Sequence, residues 1–285
     1  MCGSGNFRLL GQRLNRSQGF RPKQASGISV SVKQCRDCDL IFSDPQPIPE
    51  NLSDHYDLPP EEYWKGLPAW SQDYFAREIE TAKRLLDFRP GMTALDIGAG
   101  VGLAMQSLSA AGFDTWGLEP AEPFYEHIVR SVDPSRIALT TLEDASYGGA
   151  SFDFITFGAV LEHLYDPAAA LESALRWLKP NGLIQAEVPS ADYLVARLVN
   201  LFFRLRGTSY VTHLSPMHPP FHLFEFGLES FRKNGLLAGY SIAEHHYDVC
   251  TIPHFPKLLH APLRWWMDRK KSGMQLTVYL RRLAD

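Results

Sequence analysis

Ala94-Leu95-Asp96-Ile97-Gly98-Ala99-Gly100-Val101-Gly102 combines a short apolar run, an acid and three glycines at alternate positions. The apolar run predicts a buried strand, and Gly102 is placed to open a helix that continues through Leu103–Leu108. Glycine lacks a Cβ and tolerates positive φ, so the backbone can turn sharply here and a ligand can lie against it. The unpaired N–H groups at the start of the helix favour a polar or anionic ligand group.

The spacing of the glycines distinguishes two kinds of nucleotide cofactor. A dinucleotide fingerprint, G-x-G-x-x-G, would place its third glycine at position 103, which is Leu103 in this chain. The observed pattern is D-x-G-x-G-x-G, in which the charge of Asp96 would repel a pyrophosphate but could hold a cationic amino-acid group. This pattern resembles motif I of the class I S-adenosylmethionine (SAM)-dependent methyltransferases. The alternative is a glycine-rich turn that binds nothing.

The segments that follow contain candidates for the rest of a nucleoside site. Asp114–Glu119 predicts the next strand, which Pro120 ends, and an acid at such a strand end can accept both ribose hydroxyls. Arg136–Thr141 predicts a third short strand. The resemblance then implies that Leu142 and Glu143 clamp the adenine, although Thr141 stands where many relatives carry Asp.

Two longer phrases extend the resemblance. The fourth predicted strand, Ser151–Phe157, precedes Gly158, and the fifth, Leu183–Val188, follows a helix expected to end at Lys179-Pro180-Asn181-Gly182. The phrases SFDFITFGAVLEHLYDP and LRWLKPNGLIQAEVP resemble motifs of a methyltransferase group. That group includes the ubiquinone-biosynthesis O-methyltransferases and many small-molecule or sugar methyltransferases.

The resemblance covers about residues 70 to 250 and implies a Rossmann-like α/β fold. Seven strands in the order 3-2-1-4-5-7-6, with strand 7 antiparallel, are expected, together with a small N-terminal extension and a lid insertion after strand 5. A helix over Trp70–Phe88 is expected to lead into the glycine-rich loop. The residues expected to bind SAM lie on the loops after the strands: Asp96, Gly98, Ala99, Gly100, Gly102, Glu119, Pro120, Leu142, Glu143 and Gly158.

His163 is the best candidate for a catalytic base by position, because it follows the fourth strand beside the expected methyl site. In relatives, a Glu-His pair at this point can bind a divalent metal, and Glu162-His163 preserves that pair. Alternatively, Glu162 caps the helix that follows.

Residues 191–226 replace the usual short connection after the fifth strand with a long insertion. It opens with an amphipathic, basic helix over Tyr193–Arg204 and contains His213, His218 and His222. Insertions at this point lie above the carboxyl ends of the strands, where ligands bind in doubly wound sheets. We therefore expect a lid over the acceptor, with His218 and His222 as catalytic candidates. The alternative for each histidine is a hydrogen-bonded loop residue.

Three cysteines near the N-terminus predict a metal site. Cys35 and Cys38 form a C-x-x-C pair, and Cys2-Gly3 resembles the end of a second pair. Some methyltransferases of the group carry an N-terminal zinc ribbon, which implies a structural zinc held by Cys2, Cys35 and Cys38. The missing first cysteine would precede Met1, so either the natural start lies upstream or the ribbon has lost a ligand.

These features divide the chain into three parts. Residues 1–56 form the basic, ribbon-like segment, residues 57–69 a linker rich in proline, and residues 70–285 the methyltransferase domain.

The charge is unevenly distributed, although the net charge of the 285 residues is only −4. Residues 1–36 carry seven Lys or Arg and no acid, and residues 251–285 carry seven against two acids. Such ends can contact nucleic acid, anionic lipid or a phosphorylated substrate, or they can simply be solvated. Within residues 251–273, Trp265-Trp266 beside Lys and Arg predicts either a peripheral membrane contact or packing against the insertion helix or a second subunit, as in a homodimer.

The sequence contains no run of 18 apolar residues and no apolar leader segment. Four cysteines, two of them in C-x-x-C, indicate a reducing compartment, and we expect a cytoplasmic protein. Cys250, at the end of a predicted strand, is expected to be a buried thiol.

The sequence thus predicts a methyltransferase that transfers a methyl group from SAM to a small-molecule or sugar-type acceptor, at oxygen. One alternative is an RNA methyltransferase that uses the basic N-terminal segment. It is disfavoured because Gly158-Ala159-Val160 occupies the region of the Asn-Pro-Pro-aromatic motif of base methylation. A non-catalytic SAM-binding module is the other alternative.

Overall fold

The computed structural model describes residues 1–14, 29–48, 59–63, 66, 69–217, 221–253 and 255–283. The strands are β1 (Phe7–Leu14), β2 (Ser29–Cys35), β3 (Ile41–Asp44), β4 (Thr93–Ile97), β5 (Asp114–Glu119), β6 (Ile137–Leu139), β7 (Phe152–Gly158), β8 (Leu178–Pro189), β9 (Phe224–Glu225), β10 (Tyr240–Asp248) and β11 (Gln275–Arg282). The helices are α1 (Pro60–Tyr63), α2 (Ala76–Leu86), α3 (Leu103–Ala110), α4 (Glu122–Ile128), α5 (Pro167–Trp177), α6 (Leu194–Leu205), α7 (Leu228–Ala238) and α8 (His260–Lys270).

A seven-stranded sheet organises the molecule, in the order β10-β11-β8-β7-β4-β5-β6. The pairs from β6 to β8 are parallel, whereas β11 is antiparallel to both β8 and β10. This arrangement confirms the predicted strand order and the predicted direction of the last strand. Because the central strands are parallel and run in register, their carboxyl ends meet at one edge of the sheet.

The central strands are apolar because helices cover both faces of the sheet. Leu95, Phe154 and Ile184 are fully buried, and each such side chain contributes about 1.5–3 kcal/mol of burial free energy. Leu171 and Ala174 of α5 join the core cluster on one face, whereas Ile79 and Ala82 of α2 pack with a second cluster on the other.

A second, four-stranded antiparallel sheet has the order β1-β2-β3-β9. Its first three strands come from the N-terminal segment, but β9 belongs to the insertion, and Phe42 is the register partner of Phe224. The N of Gln12 also donates a hydrogen bond to the carbonyl of Ser209 at 2.8 Å. The N-terminal segment and the insertion are therefore joined by backbone hydrogen bonds.

Two expected helix boundaries were wrong. α2 begins at Ala76 rather than at Trp70, since Phe75 has a φ of 60° and a left-handed residue interrupts a right-handed helix. α5 ends at Trp177, and the residues Lys179-Pro180-Asn181-Gly182 lie within β8 instead of closing the helix.

Two further expectations also need correction. Glu162 does not cap α5; the carboxylate of Asp166 does, accepting hydrogen bonds from the N atoms of Ala168 and Ala169 at 3.1 and 3.0 Å. The thiol of Cys250 is exposed rather than buried, because the residue lies beyond the end of β10 and leaves the sheet.

Across the described residues, none of the helices has the length and apolar character needed to cross a lipid bilayer.

Candidate active site

The loop between β4 and α3 requires glycine at its three alternate positions. Gly98, Gly100 and Gly102 have φ angles of 69°, 58° and 80°. A Cβ at Gly98 would lie 2.6 Å from a methyl carbon of Val160, and one at Gly102 would lie 2.4 Å from Ile128 Cγ1. Larger residues would therefore be strained and crowded, and the glycines hold open a cradle at the carboxyl edge of the sheet.

Two buried carboxylates lie beside this cradle. Glu119 ends β5, and its Oε2 and Oε1 accept hydrogen bonds from the N atoms of Gly100 and Ala121 at 2.7 and 2.9 Å. Burial raises the pKa of Glu119 to about 7, although both hydrogen bonds oppose the rise. Burial, with the charge of Glu119, raises the pKa of Asp96 to about 8. A bound cation would lower both pKa values, so the pair favours a positively charged ligand group.

The two residues predicted to bind adenine, which lie in the loop after β6, differ in their exposure to solvent. Leu142 is buried in the core cluster that contains Leu118, whereas Glu143 is exposed. The hydroxyl of Thr141 donates a hydrogen bond to Asp144 Oδ2 at 2.9 Å. Asp144, which was not among the predicted adenine residues, thereby places a carboxylate next to Thr141.

The remaining predicted cofactor residues lie on the same edge. Ala99 is buried, and its N donates to the carbonyl of Leu118 at 2.9 Å. Pro120 and Gly158 are exposed at the ends of β5 and β7.

Glu162 is buried in the turn after β7 and is flanked by two histidines. Its Oε1 lies 4.0 Å from the Nε2 of His163 and 3.9 Å from the Nε2 of His222. The centroids of the two imidazole rings are 4.9 Å apart. Burial and the nearby charge of Glu187 raise the pKa of Glu162 to about 8, and its Oε2 has no hydrogen-bond partner among the described residues.

The insertion delivers His222 to this cluster through backbone hydrogen bonds. The N of Leu223 donates to the carbonyl of Glu162 at 2.8 Å, and the N of His222 donates to Ser215 Oγ at 3.1 Å. Of the other histidines in the insertion, His213 is buried against Glu225, to which its Nδ1 is bonded. This contact matches the hydrogen-bonded loop alternative for His213. His218 lies outside the described residues.

A cavity of about 210 Å³ adjoins the cluster. The end of β8, the insertion and the start of β11 enclose it. Its lining consists of Ala159, Glu162, Val188, Pro189, Ser190, Tyr193, His222, Glu225, Met274 and Gln275. Because Ala159 and Glu162 directly follow β7, the cavity lies next to the edge that carries the glycine cradle.

The cluster at Glu162 has a donor set that can hold a metal ion. One carboxylate oxygen and the nitrogens of His163 and His222 all lie within 4.8 Å of one another. Two imidazoles and a carboxylate suit zinc and other first-row divalent ions. A cation would also satisfy the buried Oε2 of Glu162, which no described residue bonds.

The three predicted zinc ligands also come together. The Sγ atoms of Cys2, Cys35 and Cys38 lie within 4.8 Å of one another, and those of Cys2 and Cys35 are 3.6 Å apart. Burial raises the pKa of the Cys38 thiol to about 12. A metal would have to displace that proton, because the thiolate is the ligand. The donor set of three sulfurs suits zinc, with one tetrahedral position to be supplied by another group.

This architecture is shared with known proteins. A family model described as "Methyltransferase domain" matches residues 70–243. The chain belongs to this methyltransferase family. Family and sheet order together make it a class I SAM-dependent methyltransferase.

Curated relatives of this methyltransferase include enzymes named "Ubiquinone biosynthesis O-methyltransferase". That of Bradyrhizobium diazoefficiens is 32% identical over 117 residues, which cover 40% of this chain and 46% of the relative. That of Idiomarina loihiensis is 35% identical over 101 residues, covering 33% and 41%. The methyltransferase therefore spans less than half the length of these relatives.

Solved structures share the fold of this methyltransferase at low sequence identity. A putative methyltransferase of Haloferax volcanii, in complex with the Trm112 methyltransferase activator, has a TM-score of 0.52 and 17% identity, covering 82% of this chain and 99% of the other. A SAM-dependent methyltransferase from Mesorhizobium loti has a TM-score of 0.52 and 15% identity, covering 74% and 100%.

Proposed function

We propose that this methyltransferase transfers the methyl group of SAM to a hydroxyl oxygen of a small-molecule or sugar-type acceptor. The observation that supports this proposal is the cluster of Glu162, His163 and His222, of which Glu162 and His222 line a cavity of about 210 Å³. A cavity of this size suits a small acceptor, and the named relatives are O-methyltransferases.

SAM fits the residues present at the edge of the sheet. A Cβ at Gly98 or Gly102 would crowd the loop against Val160 or Ile128, and two buried acids beside the loop favour a cationic ligand. Asp96, Gly98, Ala99, Gly100 and Gly102 would hold the methionine part. Glu119 and Pro120 would hold the ribose, Leu142 and Glu143 the adenine, and Gly158 would border the reacting methyl.

The chain's own residues supply positioning and proton transfer. When bound, SAM supplies a sulfonium methyl that is already a good electrophile, so orientation can provide much of the rate. His222 lines the cavity and accepts the acceptor hydroxyl proton as the new O–C bond forms and the C–S bond of SAM breaks. Glu162, 3.9 Å from the His222 Nε2, stabilises the imidazolium, and His163 packs against the same ring.

If the site takes a divalent cation, the same three side chains would hold it. Glu162, His163 and His222 would then provide the ligands, and the metal would lower the pKa of the acceptor hydroxyl. A zinc held by Cys2, Cys35 and Cys38 would be structural, because these thiols lie in the N-terminal segment.

None of the four cysteines is in a disulfide: all are free thiols, which supports a cytoplasmic location.

The decisive experiment measures release of S-adenosylhomocysteine with a panel of phenols, sugars, amines and bulk RNA, followed by mass spectrometry of the product. The proposal expects a methyl ether on a small hydroxyl compound and about a 100-fold loss of turnover in His222→Ala. Methylation of RNA that weakens steeply with salt and is unchanged in His222→Ala would instead establish the RNA methyltransferase alternative. SAM binding with no transfer to any class would favour a binding module.

A further inference from the structure

α8 exposes two adjacent tryptophans on a helix that already has a packed face. Trp265 is 61% exposed and Trp266 is 47% exposed, and Leu258, in the turn before the helix, is 78% exposed. On the packed face, Met267 belongs to a buried cluster with Val195 of α6, and Leu263 and Val199 pack against that cluster. Trp265 lies two residues from both Leu263 and Met267, about 200° around the helix, so it points away from α6.

Cations surround these apolar side chains. The guanidinium of Arg269 lies 5.7 Å from the Trp265 ring centroid, and the ammonium of Lys270 lies 5.5 Å from that of Trp266. The α8 surface consists of the three exposed apolar residues and five cations: Leu258, Trp265, Trp266, Lys257, Arg264, Arg269, Lys270 and Lys271. Asp268 is the single acid between positions 257 and 271.

The neighbouring helix α6 repeats this chemistry at its carboxyl end. Leu201, Phe202 and Leu205 are exposed, and Arg204 and Arg206 accompany them. Residues 194–206 contain no acid. The two helices therefore present indole, phenyl and leucine side chains with a surplus of positive charge, in a chain whose net charge is −4.

The positive charge of the two helices favours one class of binding partner over the others. In a symmetric dimer, a second copy of the chain would bring two equally positive surfaces together, which is unfavourable. A polyanion such as RNA would match the cations but would not require the leucines. An anionic lipid surface satisfies both, since indoles prefer the headgroup region, leucine and phenylalanine enter the acyl boundary, and Lys and Arg pair with lipid phosphates.

We propose that the α8 surface, together with the carboxyl end of α6, docks on an anionic lipid bilayer. Both docking helices are next to cavity-lining residues in the sequence. Tyr193, directly before α6, and Met274, shortly after α8, both line the cavity. Both docking helices are therefore continuous in the chain with the wall of the cavity.

The test is co-sedimentation of the full chain with vesicles of phosphatidylcholine and phosphatidylglycerol in equal parts, compared with phosphatidylcholine alone. We expect binding to the mixed vesicles, at least tenfold weaker binding to the neutral ones, and a blue shift of tryptophan emission. Trp265→Ala/Trp266→Ala should lower binding to the mixed vesicles at least tenfold and remove the blue shift. Leu236→Ala/Leu237→Ala is the matched control, because these leucines are 78% and 70% exposed on α7, beside Arg232 and Lys233, and should leave binding unchanged.

A second variant keeps the test independent of any folding defect in the tryptophan variant. Arg269→Glu/Lys270→Glu alters two exposed charges and should also lower binding at least tenfold, with circular dichroism and SAM binding unchanged in both variants. Failure of the wild-type chain to bind the mixed vesicles would overturn the proposal. So would equal binding by the tryptophan variant and the wild type, or binding of poly(U) that abolishes vesicle binding and is insensitive to the tryptophan substitutions.

Discussion

His222 Nε2 lies 3.9 Å from Glu162 Oε1, although the two residues belong to the insertion and to the turn after β7. The hydrogen bond from the N of Leu223 to the carbonyl of Glu162 fixes this approach in the backbone. The insertion is therefore part of the candidate site, and its contribution can be separated from cofactor binding.

The first prediction concerns this pair. Glu162→Gln should lower turnover about 100-fold and leave SAM affinity within a factor of two, because the acid acts on the acceptor side. Since burial raises the pKa of Glu162 to about 8, the wild-type rate should increase between pH 6 and 8. The pH–rate profile of Glu162→Gln should be flatter in that range. His245→Gln, an exposed histidine of β10, serves as control and should change neither rate nor profile.

A second prediction concerns the glycine cradle. Gly100→Val should weaken SAM binding at least 100-fold, because the side chain would project into the ligand's approach. It should destabilise the fold by about 1–2 kcal/mol, since Gly100 has a φ of 58°. Calorimetry measures the affinity and thermal unfolding the stability. Gly148→Ala is the control, because a Cβ there meets only Ser151 Oγ at 3.6 Å; a similar loss of SAM binding in that variant would contradict the assignment of the cradle.

The third prediction follows from the two buried acids. The raised pKa values of Asp96 and Glu119, about 8 and about 7, mean that the folded chain retains protons that the unfolded chain has released. Stability without ligand should be fully present below about pH 4 for these two groups and should be lost as the pH rises through 7 to 8. SAM affinity should rise over the same upper range, because the ionised acids attract its cationic groups.

Asp96→Asn separates these effects. It should make the unliganded chain more stable than the wild type at pH 8 while weakening SAM binding at least tenfold. Asp268→Asn, which changes an exposed acid of α8, should change neither property. Calorimetric titrations with SAM at pH 6, 7 and 8 measure the affinity. A pH-independent SAM affinity in the wild type would contradict the prediction.

A fourth prediction concerns the three thiols. The chain purified without chelator should contain about one zinc, and Cys35→Ser/Cys38→Ser should remove it and lower the unfolding temperature. Cys250→Ser changes an exposed thiol outside the cluster and should leave the zinc content unchanged. Elemental analysis measures the metal directly, and equal, near-zero zinc in all three proteins would show that the cluster is not a zinc site.

The sequence predicted the central sheet well because motif residues mark the ends of its strands. Asp96 ends an apolar run, Glu119 ends the next one, and the resemblance provided the strand order that the structure confirms. Periodicity did not locate the start of α2, because the left-handed conformation of Phe75 depends on its tertiary surroundings. Propensity is a weak guide at such boundaries.

The N-terminal sheet could not be predicted for a different reason. β9 has two residues, too few for any alternation, and its pairing joins Phe42 to the distant Phe224. Similarly, His222 was a candidate because it is a histidine of the insertion, whereas its approach to Glu162 depends on the path of the whole insertion.

The pairing of β3 with β9 restricts how the insertion can move. Glu225, next to β3 residue Ile41 in the ladder, also lines the cavity, and His222 lies only three positions before it. An outward movement of the insertion would have to break this two-residue ladder or carry β3 with it. The cysteine cluster lies at the end of β2 in the same sheet, so this ladder links the proposed metal site to the wall of the cavity.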